Sequence, residues 1–307
     1  MFPAVLGLLG LVQVWIQGVQ MFPVPRELVD LMAGMVTLLF LFCIVAYVAK
    51  ISFRLASLVD DLNTLPGRTG LAAVGVGLIV QARLLGEFNS ILAGPSLALG
   101  AAGVLGVALY VGIRRLRGTD TSGPPTPAMH LVFVGFVPIP AAALPLGVSP
   151  ALVNGLMLYC ALAALVVTAT TIRPLITKGS TPPLRPLQAI HLAPPAFICI
   201  GMMLTGQTGF GLVALIWASL VAGLLVVRLR WMMEGGFSGF WSAFTFPAAA
   251  YGGALLITAE AVDSDLARYA GAVVLLATTF YVPVIATKVL KLWAKGTLAA
   301  KTNASIA

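Results

Sequence analysis

The chain has 307 residues, of which 60% are apolar and 9% charged, with a formal net charge of +8. Soluble domains are about one quarter charged, so the composition excludes a soluble globular protein and leaves a membrane one. The positive balance does not indicate a nucleic-acid binder either. The basic residues sit where a membrane topology would put them, and anionic lipid headgroups are the partner they suit.

Ten apolar runs of about membrane-crossing length follow one another at 2–19, 28–50, 67–86, 94–113, 128–147, 150–173, 186–206, 208–229, 239–259 and 267–290. They are called spans 1 to 10. Span 1 lacks a basic leader and a small-residue cleavage site, so it reads as a retained helix and not a signal peptide. Span 2 is followed by Lys50, Arg54 and Arg68, span 4 by Arg114, Arg115 and Arg117, and span 6 by Arg173, Lys178 and Arg185. Span 8 is followed by Arg228 and Arg230, and span 10 by Lys288, Lys291, Lys295 and Lys301. Fifteen of the eighteen basic residues thus fall on one side of an alternating count, and only Arg26, Arg83 and Arg268 fall on the other. Positive residues stay on the cytoplasmic side. The pattern predicts five up-down hairpins, an integral protein of the cell (inner) membrane, and both termini in the cytoplasm.

The links between spans 5 and 6 and between spans 7 and 8 are a few uncharged residues, while 119–125 is a polar turn. Tyr47, Tyr110, Trp231 and Trp293 stand beside basic residues, as expected at headgroup depth. Ten spans with short links use nearly the whole chain, so one membrane domain over 1–307 is expected. Cys43, Cys160 and Cys199 lie inside apolar runs and read as small apolar residues. The glycosylation sequon Asn303-Ala304-Ser305 falls in the predicted cytoplasmic tail and reads as chance.

Proline separates odd spans from even ones. Pro3, Pro138, Pro140, Pro145, Pro194, Pro195 and Pro247 fall in spans 1, 5, 7 and 9, spans 4 and 6 carry proline only near their starts, at Pro95 and Pro150, and Pro283 in span 10 is the exception. Span 3 has glycines instead, at Gly67, Gly70, Gly75 and Gly77. Interior proline removes a backbone hydrogen bond and kinks a helix. In hydrocarbon this is tolerated only where protein or a wet cavity satisfies the freed carbonyls. Two compatible readings stay open: the odd spans are simply inner helices, or they ring an aqueous path with the even spans facing lipid.

Projected at about 100° per residue, three odd spans carry polar or small stripes that are candidates for such a path. Pro3, Gly7, Gly10 and Gln17 share a face of span 1, and Gln188, His191, Pro195 and Thr205 share a face of span 7. In span 9, Phe237, Phe240, Trp241 and Phe244 form one stripe. Phe246 lies opposite its first member, among Ser242, Ala243, Ala249, Ala250 and Gly253. Small residues also let membrane helices pack closely, so packing is the alternative for each stripe. A lone Phe on a small-residue face suits a ring standing across a narrow lumen. No carboxylate sits at mid-membrane, which argues for an anion or neutral solute over a cation. No mid-membrane Lys or Arg is present to trap an anion, which suits a conduit whose binding must allow release.

Three segments resemble one family. Trp241-Ser242-Ala243-Phe244-Thr245-Phe246-Pro247 resembles the ninth-helix signature of the tellurite-resistance/dicarboxylate transporter family, which includes the TehA-type and plant slow anion channels. Phe2-Pro3-Ala4-Val5-Leu6-Gly7 with Gly10 resembles its first helix. Pro183-Leu184-Arg185-Pro186 followed by Ile190-His191-Leu192-Ala193-Pro194-Pro195 resembles its seventh. Where many members carry His-Pro-x-Arg entering helix 3, this chain has Leu65-Pro66-Gly67-Arg68.

The resemblance implies an all-α membrane protein whose ten transmembrane helices form five hairpins in a quasi-fivefold ring, with the odd helices lining a central pore. It implies a homotrimer that passes small inorganic or carboxylate anions such as chloride, nitrate, tellurite or C4-dicarboxylates, with Phe246 as gate. Pore-lining candidates are Pro3, Gly7, Gly10, Gln17, Gln188, His191, Pro195, Ser242, Ala249, Ala250 and Gly253. No catalysis, metal or cofactor is expected. A ten-helix drug or metabolite exporter is the alternative, but its two halves should resemble each other in reverse topology, and a hairpin period is seen instead. An intramembrane enzyme would need clustered polar residues. His130 and His191, on separate spans, do not supply such a cluster.

Overall fold

A computed structural model describes residues 1–298. Lys301 and the sequon at Asn303 lie outside the described residues. Helix α1 (Phe2–Gly18) is followed by α2 (Arg26–Phe53), short α3 (Ala56–Asn63), α4 (Leu65–Glu87) and α5 (Ala93–Leu116). Next come two five-residue helices, α6 (Met129–Phe133) and α7 (Ile139–Ala143), then α8 (Pro150–Thr171) and short α9 (Arg173–Thr177). A 3-10 segment, Pro182–Leu192, leads into α10 (Ala193–Leu204), and α11 (Thr208–Met233) follows. A second 3-10 segment, Gly239–Phe244, leads into α12 (Phe246–Val262), and α13 (Asp265–Ala294) ends the described fold.

Eight of these helical stretches are long and apolar enough to cross a membrane, and α1 adds a shorter apolar helix. Span 5 differs from expectation, being two single turns of helix joined by a bend. Pro138 and Pro140 cannot donate to a continuing ladder, so the chain restarts at Ile139 with Pro140 in the first turn. Spans 7 and 9 are likewise broken, each by a 3-10 segment ahead of its α-helix. Proline therefore does not kink the inner helices. Pro3, Pro66, Pro140, Pro194, Pro195 and Pro247 sit in first turns, where the missing N–H has no partner to lose. Pro283 stays inside a continuous α-helix, α13, and Pro186 inside the first 3-10 segment.

Two breaks are repaired from outside. The Tyr159 hydroxyl on α8 donates to the Phe133 carbonyl at 3.0 Å, and the Tyr281 hydroxyl on α13 donates to the Phe244 carbonyl at 3.0 Å. Each hydroxyl occupies an acceptor that hydrocarbon would leave bare.

The inner elements close a ring. Helix α1 packs on α4, α4 on α6 and α7, α7 on α10, α10 on α12, and α12 back on α1. Each outer helix bridges a seam of that ring. Helix α5 touches α4, α6 and α7, α8 touches α6, α7 and α10, α11 touches α10 and α12, and α13 touches α12 and α1. Burial follows the same division. In the most apolar stretch of α4, Pro182–Leu204 and Gly239–Val262, 61%, 83% and 67% of residues are buried, against 17–33% in the outer helices. The outer helices carry the large exposed apolar side chains, such as Leu38, Leu99, Leu158, Leu220 and Leu276.

The basic end is tied by ion pairs. Arg68, buried at the start of α4, holds Asp120 through both guanidinium nitrogens at 2.8 and 3.2 Å, and Arg115 joins them at 2.9 Å. Burial alone would raise the Asp120 carboxyl. Hydrogen bonds from Arg68 and from the Ser122 N–H and O–H outweigh it and hold the group well below the usual carboxylate range. At the other end Arg26 pairs with Asp30 and Glu87, Arg83 with Glu87, and Arg268 with Asp263 and Asp265. The three basic residues on the minority side are thus each matched by carboxylates.

Candidate pore

Inside the ring, a cavity of about 390 Å³ opens at the basic end of the molecule. Tyr47, Lys50, Asp61 and Trp293 stand at its mouth. The Asp61 carboxylate is taken by the Lys50 ammonium at 3.0 Å and the Tyr47 hydroxyl at 2.9 Å. Deeper, the wall is built from the starts of inner helices. Pro3 of α1, Pro66 of α4, Pro194 of α10 and Pro247 of α12 all line it. Helix starts carry the positive end of the helix dipole, and proline there supplies no N–H. The wall offers positive potential with few fixed donors.

The deep end of the cavity reaches Phe246, which is 5% exposed. Its ring stacks on Phe197 of α10, with centroids 5.2 Å apart and planes 28° from parallel. On its other flank is Gly10 of α1, where a Cβ would lie 2.7 Å from Phe246 Cδ2. One turn earlier, a Cβ on Gly7 would lie 2.0 Å from Thr245 Oγ1. Both glycines are required by close approach. The face of α1 that bears them is the face that seats the start of α12.

The sequence-predicted lining residues separate into groups. Pro3 and Ser242 line the cavity, and Phe246 ends it. Gly7 and Gly10 are packing positions. Gln17 and Gly253 meet beyond Phe246, where a Cβ on Gly253 would also touch Val14 and Ile200. Ala249 faces α1 and α13, while Ala250 packs in the cluster that holds Phe246 and Phe197. Gln188, His191 and Pro195 are buried among the inner elements and do not line this cavity. Thr205 donates to Asn154 Oδ1 at 2.7 Å.

Projection at 100° per residue fails where the backbone is 3-10. Phe237, Trp241 and Phe244 do pack together, on α13. Phe240, placed with them in one stripe, instead lines the cavity.

Sequence reasoning missed two features. Phe197 forms half of the ring stack; its signal was a single aromatic among Pro194, Pro195 and Ala196, the same small-residue setting as Phe246. The histidines, read as separate, are in contact, with His130 Nε2 3.0 Å from His191 Nδ1. No local pattern announces a pair 61 positions apart.

No curated protein matches the chain. The sequence model of the voltage-dependent anion channel (SLAC1) family matches residues 1–290. That match takes in every inner element of the ring, the cavity and the Phe246–Phe197 stack, and by it the chain belongs to the voltage-dependent anion channel family.

Proposed function

We propose that the chain forms a gated pore for small anions, with Phe246 as its gate. Chloride, nitrate, tellurite and C4-dicarboxylates are the candidate substrates. The observation that carries this reading is a cavity that runs from a basic mouth, between proline-started inner helices, to one aromatic stack. Fourteen of the described basic residues and four carboxylates belong to the mouth end by the alternating count. Such a field concentrates anions at the opening. Among the described residues the only carboxylate in the wall, Asp61, is neutralised by Lys50. Inside, helix-start potential attracts an anion without the donors that would hold it, and weak binding lets a conduit turn over. The Phe246–Phe197 stack then closes the path by its bulk and by excluding water.

In this reading the mouth faces the cytoplasm, both termini lie there, and the protein works as a homotrimer in the inner membrane. The exposed apolar surfaces of the outer helices meet lipid and neighbouring copies. The test is reconstitution into planar bilayers under opposed salt gradients. The reversal potential should follow the chloride or nitrate gradient, and one that follows potassium or sodium overturns the reading.

A further inference from the structure

His130 on α6 and His191 at the end of the first 3-10 segment are the only histidines in the chain. Their rings meet edge to face at 5.1 Å, with the 3.0 Å Nε2···Nδ1 contact between them. Thr168 Oγ1 of α8 lies 3.5 Å from the same His130 nitrogen. His191 is fully buried and His130 is 3% exposed, yet His130 forms part of the cavity wall. In such a contact two neutral imidazoles share one N–H, so one of the two outer nitrogens is a bare base. Both outer nitrogens, His130 Nδ1 and His191 Nε2, are buried and have no hydrogen-bond partner. Polar groups buried without a full set of partners are costly, and packing alone would be better served by apolar side chains.

The charged and titratable groups on the surrounding elements are largely committed. Arg68 of α4 and Arg115 of α5 are held by Asp120. Tyr110 of α5 bonds Asn63 and Arg114, and Arg114 also bonds the Thr119 carbonyl. Tyr159 of α8 bonds the Phe133 carbonyl, and Arg185 of the 3-10 segment is held by Glu234. Across the cavity, Asp61 is matched by Lys50 and Tyr47. Among the described residues, each carboxylate near the pair already holds a cation. A positive charge on His130 would have one natural counterion, an anion in the cavity.

We propose that the cavity takes its anion together with a proton held by the His130–His191 pair. This rests on the anion-pore reading and adds to it a coupling between anion and proton. The proton is taken up from the acidic bulk solution, hydronium giving up its proton at the cavity and leaving water, and binds the bare ring nitrogen with the bond between the rings left in place. The bound anion supplies the missing counter-charge. Each ligand strengthens the other by the same factor, as linkage requires.

With two histidines in the chain, protein labelled with 15N-histidine shows ring signals from this pair alone. Nanodisc-embedded protein titrated between about pH 8 and 5 should show a higher apparent pKa for the pair in nitrate than in gluconate. Nitrate binding should tighten by the corresponding factor at the acid end, about fivefold or more. Nitrate uptake into vesicles should rise similarly as pH falls, and in His130→Gln the acid-to-alkaline flux ratio should drop to about one. Identical histidine titrations in nitrate and gluconate overturn the proposal, whether or not His130→Gln folds. So does a folded His130→Gln that keeps the full rise. Wild-type vesicles that pass no nitrate at any pH strike the pore reading instead.

Discussion

Phe246 is held between an aromatic partner and a missing side chain. The stack with Phe197 is worth about 0.5–1.5 kcal/mol beyond the area buried, and Gly10 leaves room for the ring on the other flank. Pro247 follows directly and fixes its own φ, so in the gate reading opening would come from rotation of the side chain. As a gate, Phe246→Ala should conduct far more than wild type in bilayers while remaining folded. As a mere packing residue it should lose about 3–5 kcal/mol of stability with no gain in conductance. Phe244→Ala, on the face packed against α13, is the control and should stay closed. Wild-type conductance in well-folded Phe246→Ala removes the gate. Phe246 was legible in the sequence because its neighbours Ala249, Ala250 and Gly253 are small. Phe197 and His130 were not, because their partners lie on other helices, and one-helix periodicity says nothing of what a neighbouring helix presents.

At the scale of elements, proline marked the inner spans correctly and misled about how they bend. A proline read as a kink turns out to start a fresh helix after a 3-10 piece or a bend, and the stripes projected through those pieces were distorted. Phe240 left its stripe for this reason. The breaks also leave carbonyls that a continuous helix would have used, and outer-helix tyrosines meet two of them. Tyr281→Phe removes the hydroxyl that serves the Phe244 carbonyl and keeps the ring. It should lower thermal stability in detergent by about 1–3 kcal/mol, the cost of an unsatisfied buried acceptor, and leave anion-over-cation preference intact. Thermal unfolding of the purified variant checks this; an unchanged Tm would mean that the carbonyl finds another donor. Tyr159→Phe should behave alike at Phe133. Neither tyrosine was identifiable beforehand, since each lies on a lipid-side helix that the pore argument passed over.

For the whole molecule, the alternating charge count carried the architecture. It gives ten spans paired as hairpins, and the structure closes their inner members into a ring. The count also implies orientation. Single cysteines at Ser149 and Asp265 should react with an impermeant reagent from outside the cell, and those at Thr121 and Ser180 only from within. Cys43, Cys160 and Cys199 are buried, so background labelling should be low. Reversed accessibility at any two of the four sites refutes the orientation.

Ring closure was not legible from charge, because it depends on contacts between the two ends of the chain. Helix α13 lies against α1, and the Trp15 indole N–H donates to Thr279 Oγ1 at 2.9 Å across 264 positions. This has a consequence for synthesis. Earlier hairpins can enter the bilayer as they emerge, but until α13 arrives α1 lacks its cover and Trp15 its acceptor. Before α12 packs on α1 the nascent protein is a trough open to lipid along one side, with no closed ring. The ribosome delivers last the hairpin that turns a trough into a tube: α12 closes the ring on α1, and α13 covers the seam between them.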